Sequence, residues 1–190
     1  NILANGGNIT FDMSTNGATF ANCKVGSATG TAVTADSGNI IYDGDKYTGA
    51  STNAFANSGY ALIRPNTAAK TIDLGGADSV TNLGVSNAEL GEFSGQSAVR
   101  VGATGAGTIT VSANISMSGK TLSLITGGNV TSTSSVTITA GNLAIKAAGT
   151  INLPGQNGTA GNLAINADGA TVTYTSSANY TPATVETLAR

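Results

Sequence analysis

The chain has 190 residues, 9% of them charged, with a formal net charge of −2, and Gly, Ser, Thr and Asn make up about half of it. The absence of histidine excludes histidine-based catalysis and histidine-ligated metal sites, and five Lys and three Arg argue against a nucleic-acid partner. Leu, Glu, Lys and Arg at helical spacing are too scarce for a bundle, and no apolar run approaches the ~18 residues of a membrane span.

Ile9-Thr10-Phe11, Ala18-Thr19-Phe20, Ile40-Ile41-Tyr42 and Tyr60-Ala61-Leu62 read as short strands in an irregular first part, residues 1–60. Asp43 to Asn57 reads as a loop or inserted hairpin within it. Cys23 is the lone cysteine, so no internal disulfide forms. The chain has no initiating Met or signal segment and reads as a piece of a longer polypeptide. Ser86 to Phe93 predicts one short helical turn, with a Ser or Asn cap ahead of Glu89.

Residues 61–190 are more regular. Ala140-Gly141-Asn142-Leu143-Ala144-Ile145-Lys146-Ala147 recurs 20 residues later as Ala160-Gly161-Asn162-Leu163-Ala164-Ile165-Asn166-Ala167. Val99-Arg100-Val101, Leu122-Ser123-Leu124, Leu143 and Leu163 form one column at steps of 23, 21 and 20. Ile109, Val130, Ile151 and Val172 form a second at steps of 21, and Ile115 with Met117 followed by Val136 with Ile138 a third at the same step. The triplets alternate apolar and polar residues, the pattern of a strand with one buried face, and are separated by turn residues. A repeat of this kind predicts an all-β, right-handed parallel β-helix of about 20–21 residues per coil. Wound throughout, the chain would make roughly nine coils and a rod about 40 Å long. Asn142 and Asn162 fall at equivalent turns, where they either hydrogen-bond along the axis or tolerate a left-handed backbone.

A further pattern lies in Leu62-Ile63-Arg64-Pro65-Asn66-Thr67, Ile72-Asp73-Leu74-Gly75, Leu83-Gly84-Val85-Ser86-Asn87-Ala88-Glu89-Leu90, Val99-Arg100-Val101-Gly102, Gly107-Thr108-Ile109-Thr110-Val111 and Leu122-Ser123-Leu124-Ile125-Thr126-Gly127-Gly128. In this order, from Tyr60 to about Val130, the segments resemble the repeat regions of large secreted adhesins of the filamentous-haemagglutinin type. The resemblance implies a right-handed β-helix, export by a two-partner or autotransporter-like route, and an extracellular or bacterial cell-surface location. It transfers no catalytic residue and no cofactor.

The chemistry-bearing side chains admit other readings. β-Helices also host polysaccharide-binding and polysaccharide-cleaving proteins, which need carboxylates aligned on one face. Asp43 and Asp45 are two apart, yet sit in a glycine-containing turn where Asp is common. Asp73 and Asp78 flank Gly75-Gly76 in a faint echo of a calcium-binding nonapeptide. If the second column points inward, Thr108, Thr110, Asn129, Thr131, Thr150, Asn152, Thr171 and Thr173 form an outward two-column array, suited to ice or crystalline glycans or simply to a soluble strand surface. Of Arg100, Ser123, Ala144 and Ala164 on the outer side of the first column, the small Ala144 and Ala164 offer a surface for lateral packing of rods. Tyr42, Tyr47 and Phe55 are the best candidates for stacking on a sugar, with core packing the other use of Tyr42. The sequence therefore predicts a non-catalytic shaft of an adhesin or surface filament. Its expected partners are adjoining coils or other copies end to end, and host or bacterial surface glycans.

Overall fold

The computed structural model describes residues 2–3, 8–12, 33–36, 38–47, 55–57, 59–93 and 95–185. Among them the chain is an all-β parallel solenoid of about six turns with a single short helix. Its strands form three faces. The first face stacks β2 (Ile9–Asp12), β4 (Ile40–Asp43), β6 (Tyr60–Arg64), β9 (Ala98–Ala103), β11 (Ile115–Thr126), β13 (Ile138–Ala147), β15 (Asn162–Asn166) and β17 (Thr181–Pro182). The second stacks β8 (Asn82–Val85), β7 (Thr71–Leu74), β10 (Ile109–Val111), β12 (Val130–Ser132), the start of β14 (Ile151–Thr159) and β16 (Val172–Ser176). The third is made by the opening residues of β11 and β13 with the end of β14. The short strands β1 (Ile2–Leu3), β3 (Val33–Asp36) and β5 (Phe55–Asn57) form a separate three-stranded parallel sheet.

Both main columns lie as the spacing predicts. Val99, Leu122, Leu143 and Leu163 are register partners in succession, and so are Ile109, Val130, Ile151 and Val172. Leu122, Leu143, Ile109, Val130 and Ile151 are fully buried. Burying a side chain of this size contributes about 1.5–3 kcal/mol.

The third column departs from its predicted register. Ile115 pairs with Ile138 and Met117 with Ala140, a step of 23 instead of 21. The turn from β12 to β13 has two residues more than the turn from β10 to β11, which carries the first strand two positions further. β11 compensates with a bulge at Gly119-Lys120, where four positions from Met117 to Thr121 oppose two in β13. Gly119 takes φ 73° there, a conformation that favours glycine. The next coil bulges as well, between Leu153 and Asn157 of β14. This is how Pro154 sits inside a strand, since the bulge interrupts the ladder that its missing N–H would break.

The coil count falls below nine because two steps on the first face are long. Ile9 pairs with Ile40 and Ala61 with Val99, steps of 31 and 38 residues. The second of these holds β7, β8 and α1 (Asn87–Glu92), and the shorter steps resume from Val99. The predicted helical turn is α1 itself. Ser86 caps it, and Glu89 reaches back to the Ser86 N–H, completing a capping box. Residues 48–54, the middle of the expected insertion, Ala18–Phe20 and Cys23 lie outside the described residues.

Asparagine side chains join coils where strands give way to turns. Oδ1 of Asn8, Asn39, Asn114, Asn129 and Asn142 accepts the backbone N–H of Asn39, Tyr60, Thr137, Thr150 and Asn162, at 2.8–3.0 Å. Among the described residues only Ala69 and Asp168 are non-glycine positions with positive φ, so Asn142 serves the axial bond and not a left-handed turn. Asn157, 1% exposed, ties three coils together. Its Oδ1 accepts from Ile138 N–H at 2.8 Å, and its Nδ2 donates to the carbonyls of Leu153, Gly155 and Thr175 at 3.0–3.1 Å. Asn157→Ala leaves these buried groups unpaired and is expected to lower unfolding stability by about 3 kcal/mol in urea melts, against less than about 0.5 kcal/mol for exposed Asn152→Ala. Equal losses would contradict this role.

Candidate functional site

The second face places the outward array as the sequence predicts. Thr110, Thr131, Asn152 and Thr173 are consecutive register partners, one per coil. Thr108, Asn129, Thr150 and Thr171 form the neighbouring row at the turn into each strand. Thr110, Asn129, Asn152, Thr171 and Thr173 are exposed, and Thr108, Thr131 and Thr150 are half-buried. Strands in such a ladder repeat about every 4.8 Å, so each row presents a polar group at that interval.

The two rows are not equivalent. In the turn row, Thr108 Oγ1 accepts from Asn129 N–H at 3.4 Å, and Asn129 Oδ1 accepts from Thr150 N–H at 2.8 Å. These groups hold coils together and are partly committed. Among the described residues, the side chains of Thr110, Thr131, Asn152 and Thr173 bond no protein group. The row ends below at Asp73, the partner of Thr110, and then at Gly84. The free file is thus four residues long and uncharged until Asp73.

Gly84 marks the closed edge of this face. A Cβ there would lie 2.1 Å from the Ala77 carbonyl carbon, because the 77–81 loop folds across β8. Asp78 Oδ1 accepts the Gly84 N–H at 2.8 Å, and Ser79 N–H donates to the Asn82 carbonyl at 3.1 Å. The loop satisfies backbone groups that an edge strand otherwise leaves open. The opposite edge differs. Val172 continues a column whose other members are fully buried, yet it is 45% exposed.

The aromatic candidates do not form a sugar platform. Tyr42 and Tyr47 are 3% and 8% exposed and pack edge to face with centroids 4.9 Å apart, while Tyr47 lies 5.8 Å from Phe93. The rings are part of the buried core beside Phe93, which ends α1. Phe55 lies in β5, and its side chain is outside the described part. Arg100, Ser123, Ala144 and Ala164 do form one row, but Ser123 and Ala144 are 0% and 2% exposed, so they offer no surface to a second rod. The Arg100 guanidinium instead lies 3.6 Å over the Tyr60 ring.

The carboxylates serve the stack. Arg64 pairs with Asp43 on the coil below at 2.5 Å. Asp45 accepts from Asn66 N–H, Thr67 N–H and the Thr67 hydroxyl. Burial acts to raise the Asp45 pKa, but the Thr67 and Asn66 hydrogen bonds and the charge of Lys70 leave it below its ordinary value. Asp78 accepts the Gly84 N–H, and no group of three His, Cys, Asp or Glu suited to a metal occurs among the described residues. Asn157 and the Glu92–Tyr47 pair escaped the sequence reading. The 20-residue repeat marks neither, because each occurs once.

Compared with known proteins, the chain matches no family model and, at a significant level, no curated protein and no solved structure. Because the free file makes no internal bonds, replacing Thr110 and Thr173 together by Lys is expected to shift unfolding stability by less than about 0.5 kcal/mol in denaturant melts. A loss above about 2 kcal/mol would mean that the file is structural.

Proposed function

We propose that the chain is a shaft segment of an extracellular bacterial adhesin or surface filament of the filamentous-haemagglutinin type, acting mechanically in adhesion or cell–cell contact. The observation that supports this reading is the open upper end. Val172, exposed at the top of a column buried everywhere below it, marks a place where another layer stacks. β16 likewise pairs with β14 alone among the described strands, which leaves an edge for further pairing. A stack that can add layers at an open edge suits a spacer, and its few charges suit a surface held by backbone pairing.

In this reading the partner at the open edge is an adjoining coil or a second copy. Electron microscopy of the isolated chain is expected to show pairs or longer end-to-end assemblies, and Val172→Asp is expected to return them to single particles. Monodisperse single particles of the unaltered chain would count against the proposal.

A glycan-binding role draws on a different observation, the free file of Thr110, Thr131, Asn152 and Thr173. Side chains without internal partners at a regular interval suit a polymer lying along the axis. In that case Thr110→Lys with Thr173→Lys abolishes retention on an insoluble polysaccharide without affecting end-to-end assembly. Ice binding through the same array predicts that this variant loses any effect on ice-crystal growth, and unchanged growth rejects it.

A further inference from the structure

The coil carrying Tyr47 is joined to the regular coils through carboxylates that lack a paired cation. Glu92, the last residue of α1, is 6% exposed, and its Oε2 accepts the Tyr47 hydroxyl at 2.8 Å. Asp78, on the loop beneath β8, accepts the Gly84 N–H at 2.8 Å, and the Tyr47 amide acts on it from the coil below. Tyr47 is therefore held at its hydroxyl by the helix, with its amide toward the loop. The described ion pairs, Arg64–Asp43 and Lys70–Asp45, involve neither carboxylate.

The groups facing this junction come from three elements. Tyr42, Lys46 and Tyr47 belong to the coil below, Asp78 to the loop, and Glu89 and Glu92 to α1. Glu89 is held by the N–H and hydroxyl of Ser86, and both other carboxylates feel it as a like charge. Among the described residues, Lys46 is the cation whose charge acts on Asp78. A buried carboxylate with a second carboxylate nearby is costly to ionise, a cost that the single Tyr47 hydroxyl offsets only in part.

We propose that this junction is an acid-tightened latch, in which protonation of Glu92 and Asp78 clamps the Tyr47 segment between α1 and the 77–81 loop, and loss of those protons releases it. The direction of titration agrees. Burial pushes Glu92 up to about 7, with the Glu89 charge adding to it and the Tyr47 hydroxyl opposing. Burial also pushes Asp78 up to about 6, against the Gly84 and Tyr47 amides and Lys46, with Glu89 again adding. A carboxylate whose pKa is higher in the closed state stabilises closure fully below its open-state value. That contribution is lost as pH rises through the closed-state value. For Glu92 the window runs from 4.5 up to about 7.

Amide hydrogen exchange of the whole chain tests the latch, with rates corrected for their intrinsic pH dependence. The segment 40–47 is expected to open roughly tenfold more often at pH ~8 than at pH ~5.5. Amides of Leu122–Ile125, deep in the regular coils, are expected to show no such change. The variant with Glu92→Gln and Asp78→Asn, which keeps shape and removes both titrations, is expected to stay protected at both pH values. Equal protection of the unaltered chain at the two pH values would overturn the proposal, and so would a full pH response in the variant. If the double variant loses its β circular-dichroism signal, Glu92→Gln alone must remove most of the response, or the latch is rejected.

Discussion

One coil of this chain holds too few Leu, Ile and Val residues to bury them by itself. Burial comes from parallel pairing in register, which sets each inward aliphatic on its equivalent in the next coil. Leu122 between Val99 and Leu143, and Val130 between Ile109 and Ile151, are the clearest cases. The same pairing satisfies the strand backbones, so a chain with few charges and no bundle of helices folds all the same. Slipping any coil by one residue would turn its aliphatic row outward, and this penalty fixes the register.

Pairing alone does not carry the chain around corners. There the ladder breaks, and side chains take over the missing bonds. Asparagine is suited to this because one short amide both accepts and donates. Asn129 and Asn142 bridge single steps, while Asn157 bridges coils on both sides of its own. The bulges at Gly119-Lys120 and Pro154–Gln156 absorb differences in turn length, so the first and second faces keep their spacing while the third shifts. The two ends of the second face differ in kind, since the 77–81 loop closes one and Val172 leaves the other open.

The first two columns were legible in the sequence because identical or similar aliphatics recur at a nearly constant step. The α1 cap was legible because Ser86 and Glu89 stand three apart ahead of Leu90. The third column was misread because spacing alone does not reveal which side of a turn holds an insertion. The long step from Ala61 to Val99 was hidden for a related reason, as it contains a strand, β8, that returns beneath β7. Tyr42 and Tyr47 were sugar-stacking candidates by their place near the irregular segment; the core use read for Tyr42 is the one the structure shows, and Tyr47 joins it there. The outward array was placed correctly, but only the hydrogen bonds show that one of its rows is spent on holding coils together.

The account rests on residues 21 apart lying side by side, and disulfide trapping measures this directly. Two cysteines bridge when their Cα atoms are about 4.4–6.8 Å apart, a range that adjacent coils meet and alternate coils do not. In a Cys23→Ser background, Thr110→Cys with Thr131→Cys is expected to cross-link within one chain under mild oxidation, while Thr110→Cys with Asn152→Cys keeps both thiols free. Failure of the first pair, or equal cross-linking of both, would contradict the stacked solenoid.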